Sequence, residues 1–328
     1  MKRLLLAVAS VFSLLVLGSW ENSMQAAEKY PVKPITCLIP LEAGSDGDIA
    51  MRPMMNKAAT ILGKPILIVN KPGAACTIGY RELLAAKPDG YTISSATGTI
   101  VSNKLQGLMP YDYRNFTVIG IYWVGTPIIT ASTKSKRNFK TIAEVLAYAK
   151  LHPGEVSIAT GGTGQILWIA TMAFQEATGL EFNVIPQEGA GGFATAQVAG
   201  GHTDLGVSFL ASAKPQIEAG NIRLLAVFGS RRAPGKYADI PALKEIGYDV
   251  PVASPNAILG PPKMPKEVTH KLISAFETVY NDAEFQQHII NRNSLPSYFP
   301  SEKAVERYDQ DRRIYKSIME KAGVLKEK

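Results

Sequence analysis

The thirteen residues Pro40–Arg52, PLEAGSDGDIAMR, constrain this chain more than any other stretch. Ahead of them, Ile35–Pro40 (ITCLIP) has the length and bulk of a buried strand. Leu41–Gly47 then holds two glycines, a serine and two acids, and Asp48 follows as the expected N-cap of a helix. Ile49, Met51 and Met55 begin that helix's apolar stripe. A strand, a glycine-bearing turn and a helix start bring several free backbone N–H groups to one point, where the helix dipole also favours negative charge. Such a point binds a small anion or polar group.

The same device recurs along the chain. Lys64–Asn70 (KPILIVN) reads as a second strand, the turn Lys71-Pro72-Gly73-Ala74 follows, and a helix runs to about Ala86. Tyr91–Ala96 is a third strand, entering a helix near Val101 through Thr97-Gly98-Thr99. Strand–helix alternation of this kind means a parallel sheet with helices on its faces, and ligands bind where its loops gather at the carboxyl edge. A second unit is expected to start with Thr117–Val124 and Pro127–Ala131. Thr141–Leu151 follows as a helix, with Thr141 as N-cap and Glu144 at the capping-box position. The strand Val156–Thr160 runs into Gly161-Gly162-Thr163-Gly164 and a helix over Gln165–Thr178. Glu181–Pro186 runs into Gln187–Gly192 and another helix. Asp204–Phe209 and Arg223–Phe228 complete a second sheet. Beyond Gly229 the chain reads as irregular and proline-rich through Pro265, before closing helices over Lys266–Asn281 and Ser301–Ala322, with a shorter one between them.

The first residues belong to targeting rather than fold. Met1-Lys2-Arg3 is basic, Leu4–Leu17 is apolar, and Ala26-Ala27 supplies the small residues of a cleavage site, so Met1–Ala27 reads as a secretory signal peptide. Its loss takes Lys2, Arg3 and Glu21 and changes the formal charge from +7 to +6, with no basic block of the kind that would suggest nucleic acid. The remaining length suffices for two cores. Cys37 and Cys76 are read as free thiols.

Enzymatic constellations are missing from the pattern. Gly189-Ala190-Gly191-Gly192-Phe193-Ala194 follows a strand, but no acid ends the next strand as a dinucleotide fingerprint requires. No glycine loop carries the Lys-Ser/Thr pair of a phosphate loop, and no Gly-x-Ser-x-Gly elbow exists. His152, His202, His270 and His288 stand singly, without metal-ligand spacing. No catalytic residue, metal or cofactor is expected. Four small polar loops, Leu41–Gly47, Thr97–Thr99, Gly161–Gly164 and Gln187–Gly192, precede helices and together can surround a carboxylate with amides and hydroxyls, using no cationic side chain. Singly, each reads more readily as a tight strand-to-helix turn, and only the four together, on two successive α/β units, favour binding.

Several motifs resemble the tripartite tricarboxylate transporter receptors, the Bug family. They are Tyr30-Pro31-x-Lys33-Pro34-Ile35, the loop ending in Asp48 with Arg52 four on, Asn70–Ala74, and Lys87-Pro88-Asp89-Gly90-Tyr91-Thr92. Further on come Gly189-Ala190-Gly191, Ala199-Gly200-Gly201-His202-x-Asp204 and Ala219-Gly220-Asn221-Ile222-Arg223-x-Leu225-Ala226-Val227. The resemblance covers nearly the whole mature chain. It implies an α/β, two-domain type II periplasmic binding protein that closes on its ligand like a Venus flytrap. Domain 1 would comprise residues 28–125 and 230–328, and domain 2 residues 126–229. It further implies a monomeric periplasmic receptor that grips a small carboxylate, partly through water, with Leu41–Gly47 and Thr160–Gln165. The receptor would pass that ligand to a membrane permease. A receptor feeding a signalling partner, or an enzyme on the same architecture, are the competing readings.

The candidate ligand set is Leu41, Glu42, Ala43, Gly44, Ser45, Asp46 and Asp48 in the first loop, with Ser95 and Thr97 from the third strand and its loop. Thr160, Gly161, Gly162, Thr163, Gly164, Gln165 and Trp168 come from the second unit, with Gln187, Glu188, Gly189 and Ser208. The amides of Ala43–Ser45 and Gly162–Gly164 are expected to hold one carboxylate. Departures from the family pattern include Glu42 for a small residue, Ser45-Asp46-Gly47 for glycines and threonine, Gln187-Glu188 for an aromatic–basic pair, and Trp168 for histidine. If Glu42, Asp46 and Glu188 face the pocket, they repel a second negative charge by about 1 kcal/mol in water and about 4 kcal/mol at an effective dielectric near 20 for charges about 4 Å apart. Facing solvent or capping the helix, they do nothing of the kind.

Overall fold

Ile35, Cys37 and Ile39 of strand β1 (Ile35–Ile39) enter one buried apolar cluster and Leu38 enters another, so the strand is covered on both faces. That explains an apolar run without the alternation of a half-exposed strand. The computed structural model describes residues 30–187, 191–292 and 294–327. From β1 the chain alternates: helix α1 (Asp46–Leu62), β2 (Ile66–Asn70), α2 (Thr77–Ala85), β3 (Thr92–Ala96), α3 (Thr99–Leu105) and β4 (Thr117–Gly125). Then come β5 (Pro127–Ser132), α4 (Ile142–Leu151), β6 (Ser157–Gly161), α5 (Ile166–Thr178), β7 (Asn183–Gln187), α6 (Gly191–Gly200), β8 (Leu205–Phe209), α7 (Leu210–Glu218) and β9 (Ile222–Val227). The chain closes with β10 (Ser254–Gly260), α8 (Lys266–Tyr280), α9 (Ala283–Ile290), β11 (Ser294–Pro300) and α10 (Ser301–Lys321). Among the described residues no helix is long and apolar enough to cross a membrane.

The strands form two sheets, ordered β11-β4-β10-β3-β1-β2 and β7-β6-β8-β5-β9. In the first, β1 pairs parallel with β2 and β3, while β10 runs antiparallel between β3 and β4. In the second, β6 is parallel to β7 and β8, and β5 is antiparallel to β8 and β9. The chain passes between sheets at Thr126 and returns between β9 and β10.

Two expectations are corrected here. Thr117–Val124 does not open the second unit: as β4 it belongs to the first sheet, held by β10 and β11. Its buried run fixes a strand but carries no information about its neighbours. The stretch read as irregular contains β10, all seven of whose residues are buried. Pro255 and Asn256 disguise it, since proline lacks the N–H that an inner strand donates. The register removes the conflict: β3 begins pairing with β10 only at Ala257, so Pro255 has a strand neighbour on the β4 side alone. The edge strand β11 tolerates Pro296 for the same reason.

Thr141 caps α4 as expected, accepting from Glu144 N at 3.2 Å, although the Glu144 carboxylate accepts from Lys140 N instead of closing the box. Cys37 and Cys76 are free, buried thiols, which burial pushes up to about 12 and about 11.

The second sheet is fastened by Asp204, whose buried carboxylate accepts from Ser157 N at 3.0 Å, Ser157 Oγ at 2.8 Å, Arg137 Nη1 at 2.9 Å and the Ser135 hydroxyl. Burial acts to raise its pKa, but these hydrogen bonds and Arg137 outweigh burial and leave it below the usual carboxylate range. A depressed folded pKa contributes stability above the unfolded value of about 3.9 and loses it as pH falls through the folded value. Asp204→Ala is expected to lower unfolding stability by about 3 kcal/mol at pH 7. In denaturant titrations the gap to the wild type should shrink below about pH 4. A gap independent of pH would mean that the carboxylate charge is not what fastens the sheet.

Candidate functional site

Between the two sheets lies a cavity of about 770 Å³. Parallel strands deliver the following helices N-terminus first to their carboxyl edges, and here those edges meet. Residues at the starts of α1 (Ser45, Asp46), α2 (Cys76), α3 (Thr97, Thr99), α5 (Gln165, Ile166), α6 (Gly191, Gly192) and α7 (Phe209, Ala211) all line the cavity, so six helix N-termini converge on it. Each contributes roughly 0.3–1 kcal/mol to an anion placed there, and up to about 2 kcal/mol where partly buried.

The first loop is held from beneath. Ser45, not Asp48, is the N-cap of α1: its Oγ accepts from Asp48 N at 3.4 Å and the helix starts at Asp46. Two acids and a glycine after the serine are compatible with a first helical turn, which is why the helix starts earlier than its apolar stripe indicates. Asp48 instead turns under the loop, fully buried. It accepts from Gly44 N, from Arg52 Nε and Nη2, and from Asn70 Nδ2, each at 2.9 Å. Asn70 Nδ2 also donates to Leu41 O at 3.0 Å, so one network ties down both ends of the loop. Burial acts to raise the Asp48 pKa, but the bonds from Arg52, Asn70 and Gly44 prevail and lower it.

Of the expected ligand residues, Leu41, Glu42, Ala43, Gly44, Ser45, Asp46, Thr97 and Gln165 line the cavity. Others lie behind it. Asp48 is occupied as described, Ser95 is buried, and Thr160 Oγ1 accepts from Thr171 Oγ1 at 3.1 Å. Trp168 is 6 % exposed and packs in the larger apolar cluster, so it is a core side chain. Gly161, Gly162 and Gly164 are buried, and only Thr163 of that loop is exposed. Gln106 closes over the loop, its Nε2 donating to Gly164 O at 3.0 Å. It fills the space where a Cβ at Gly164 (φ +74) would stand, 2.3 Å from Gln106 Cδ. Gln187 ends β7 and does not line the cavity. Ser208 is 1 % exposed, and its Oγ has no hydrogen-bond partner among the described residues. Glu188 and Gly189 lie outside the described residues.

Two of the three first-loop amides expected to grip a ligand are engaged by the protein itself: Gly44 N donates to Asp48 and Ser45 N donates to Glu42 O at 3.1 Å. The expectation of a lining without a cation is also corrected. Arg292, between α9 and β11, lines the cavity, and its Nη2 donates to Asp46 O at 2.9 Å and to the Asp46 carboxylate. Burial pushes the Asp46 carboxyl up, and Arg292 opposes that. Beside them His288 is held low by burial and by Arg292. It adjoins the Ile49 carbonyl, which Pro53 leaves without its helical donor.

The turn Pro72–Cys76 also forms part of the wall, with Ala74, Ala75 and Cys76 all in the left-handed region at φ 45, 52 and 73. Such backbone costs roughly 1–2 kcal/mol per non-glycine residue. α2 then packs so closely on the end of β1 that a Cβ at Gly79 would lie 2.7 Å from Pro40 Cβ. The candidate ligand set omits this wall, although 66–85 repeats the strand–glycine turn–helix device that points to it. Phe209 and Ser212 belong to another such junction, β8 to α7. For Arg292 no sequence signal exists. Among the described residues, no group of three or more His, Cys, Asp or Glu side chains gathers as a metal site.

A ligand-sized cavity between the carboxyl edges of two α/β sheets that the chain crosses twice is the plan of a type II periplasmic binding protein, a two-domain α/β fold. Residues 50–324 match the sequence model of the tripartite tricarboxylate transporter family receptors, and the chain belongs to that family. It is similar to Protein BugT of Bordetella pertussis, 27 % identical over 98 % of this chain and 97 % of the relative. The structure of the periplasmic binding protein BugD superposes with a TM-score of 0.77 at 25 % identity, covering 90 % of this chain and 99 % of that one. An R. palustris protein solved with adipate gives a TM-score of 0.81 at 22 % identity, covering 90 % of this chain and 99 % of that one, which speaks for the fold alone. The family is one of solute-binding receptors.

Asp48→Ala should release the loop from both anchors and cost about 3 kcal/mol in a denaturant titration. An unchanged midpoint would mean that the loop holds itself.

Proposed function

We propose that this protein is a periplasmic receptor that captures a small carboxylate in the cavity between its sheets and delivers it to the membrane permease of a tripartite tricarboxylate-type transporter. The observation that carries the reading is the convergence of six helix N-termini on one cavity, an arrangement that stabilises an anion without a free cationic side chain. Family membership supports it. Met1–Ala27 acts as the export signal. Residues 28–125 with 230–328 form one domain and 126–229 the other, and a single copy of the chain closes over the ligand by rotation about the crossings at Thr126 and 228–253.

Two measurements test this. Incubation with a bound carboxylate should return the compound unchanged, whereas its conversion would replace receptor by enzyme. Small-angle scattering should give a smaller radius of gyration with ligand than without. An equal radius for demonstrably ligand-free and saturated protein would remove closure from the account.

A further inference from the structure

The receptor reading leaves open which carboxylates the cavity accepts, and its lining bears on that. Three charged side chains line it among the described residues: Glu42, Asp46 and Arg292. Arg292 is the only cation of the three and is 13 % exposed. Its Nη2 is held by Asp46 twice, through the main-chain oxygen and through the carboxylate. One guanidinium nitrogen is thus already occupied by a carboxylate from the protein, while Arg292 Nε is buried without a hydrogen-bond partner among the described residues. Glu42 remains without an ion-pair partner among the described residues, so the formal charge of the lining is negative. The rest is largely apolar. Ile49 from α1 and Phe193 from α6 line the same cavity while 43 % and 55 % exposed, and Leu167 and Phe209 extend the surface. Large apolar side chains left open in a ligand-sized cavity match a ligand with an apolar body.

Resting on the receptor reading, we propose that Asp46 is a built-in counter-ion that reserves Arg292, so that the cavity selects monocarboxylates with an apolar aryl or branched alkyl body against di- and tricarboxylates. The helix N-termini receive the single carboxylate, Ile49 and Phe193 cover the body, and Glu42 opposes a second negative charge. Asp46 is the specificity-determining residue, acting through the cation it holds.

Calorimetric titration with benzoate, 3-methylbutanoate, adipate and citrate tests this in the wild-type chain, in Asp46→Asn and in Asp46→Asn/Arg292→Gln. In the wild type, benzoate or 3-methylbutanoate should bind at least tenfold tighter than adipate or citrate. Asp46→Asn frees Arg292 and should improve adipate relative to the monocarboxylates by at least tenfold, and the double variant should return the wild-type preference. Tightest binding of adipate or citrate by the wild type overturns the inference and leaves the receptor reading standing, as does a ratio that Asp46→Asn does not move. If none of the four binds, both fall. The wild-type panel decides even if a variant fails to fold.

Discussion

A parallel strand followed by a helix fixes which end of the helix faces the sheet's carboxyl edge, and the site depends on that directional constraint. The helices that follow β1, β3, β6 and β8 each begin at the cavity. Amides that would be orphaned at a helix start elsewhere are here collected on a shared space. Nothing about this requires a charged side chain, which is why the wall can consist so largely of glycine, alanine, serine and threonine.

The price is rigidity elsewhere. A glycine-bearing loop has little side chain with which to hold its own shape, and Asp48 supplies the missing restraint from below. The carboxylate engages Gly44, Arg52 and Asn70, and Asn70 reaches on to Leu41. Its depressed pKa reflects the same bonds. Arg292 closes the arrangement from a distant part of the chain, 246 residues from Asp46, together with the helix α9 that carries His288.

How much of this could be read in advance follows from the range of each interaction. Strand, turn and helix signals are local, so β1–β9 and the helices between them are readable in order, as are the glycine loops before α1, α3, α5 and α6. β10 is not, because the freedom that lets Pro255 enter a strand is granted by where β3 ends, a property of another segment. Asp48 was readable as part of a motif with Arg52, but neither its link to Asn70 nor its role was: an acid after a glycine turn suits an N-cap, a ligand contact or an anchor equally well. The difference lies in the side of the loop to which the carboxylate turns. Trp168 shows the same limit, since helical spacing gives a face without saying what that face meets. Arg292 had no local signal at all.

The strand order has a consequence for how the chain assembles. The second sheet is drawn from one uninterrupted stretch, Pro127–Val227, and contains its own neighbours. The first sheet does not: β4 has no partner until β10 and β11 exist, and these come from Ser254 onward. Until then β1, β2 and β3 form an open three-stranded fragment, and the hydrophobic strand β4 waits uncovered beside it. Chain closure across such a span is slow relative to local pairing. The half of the molecule written first is therefore the half completed last, and its exposed strand is where an unfinished molecule is most open to wrong partners.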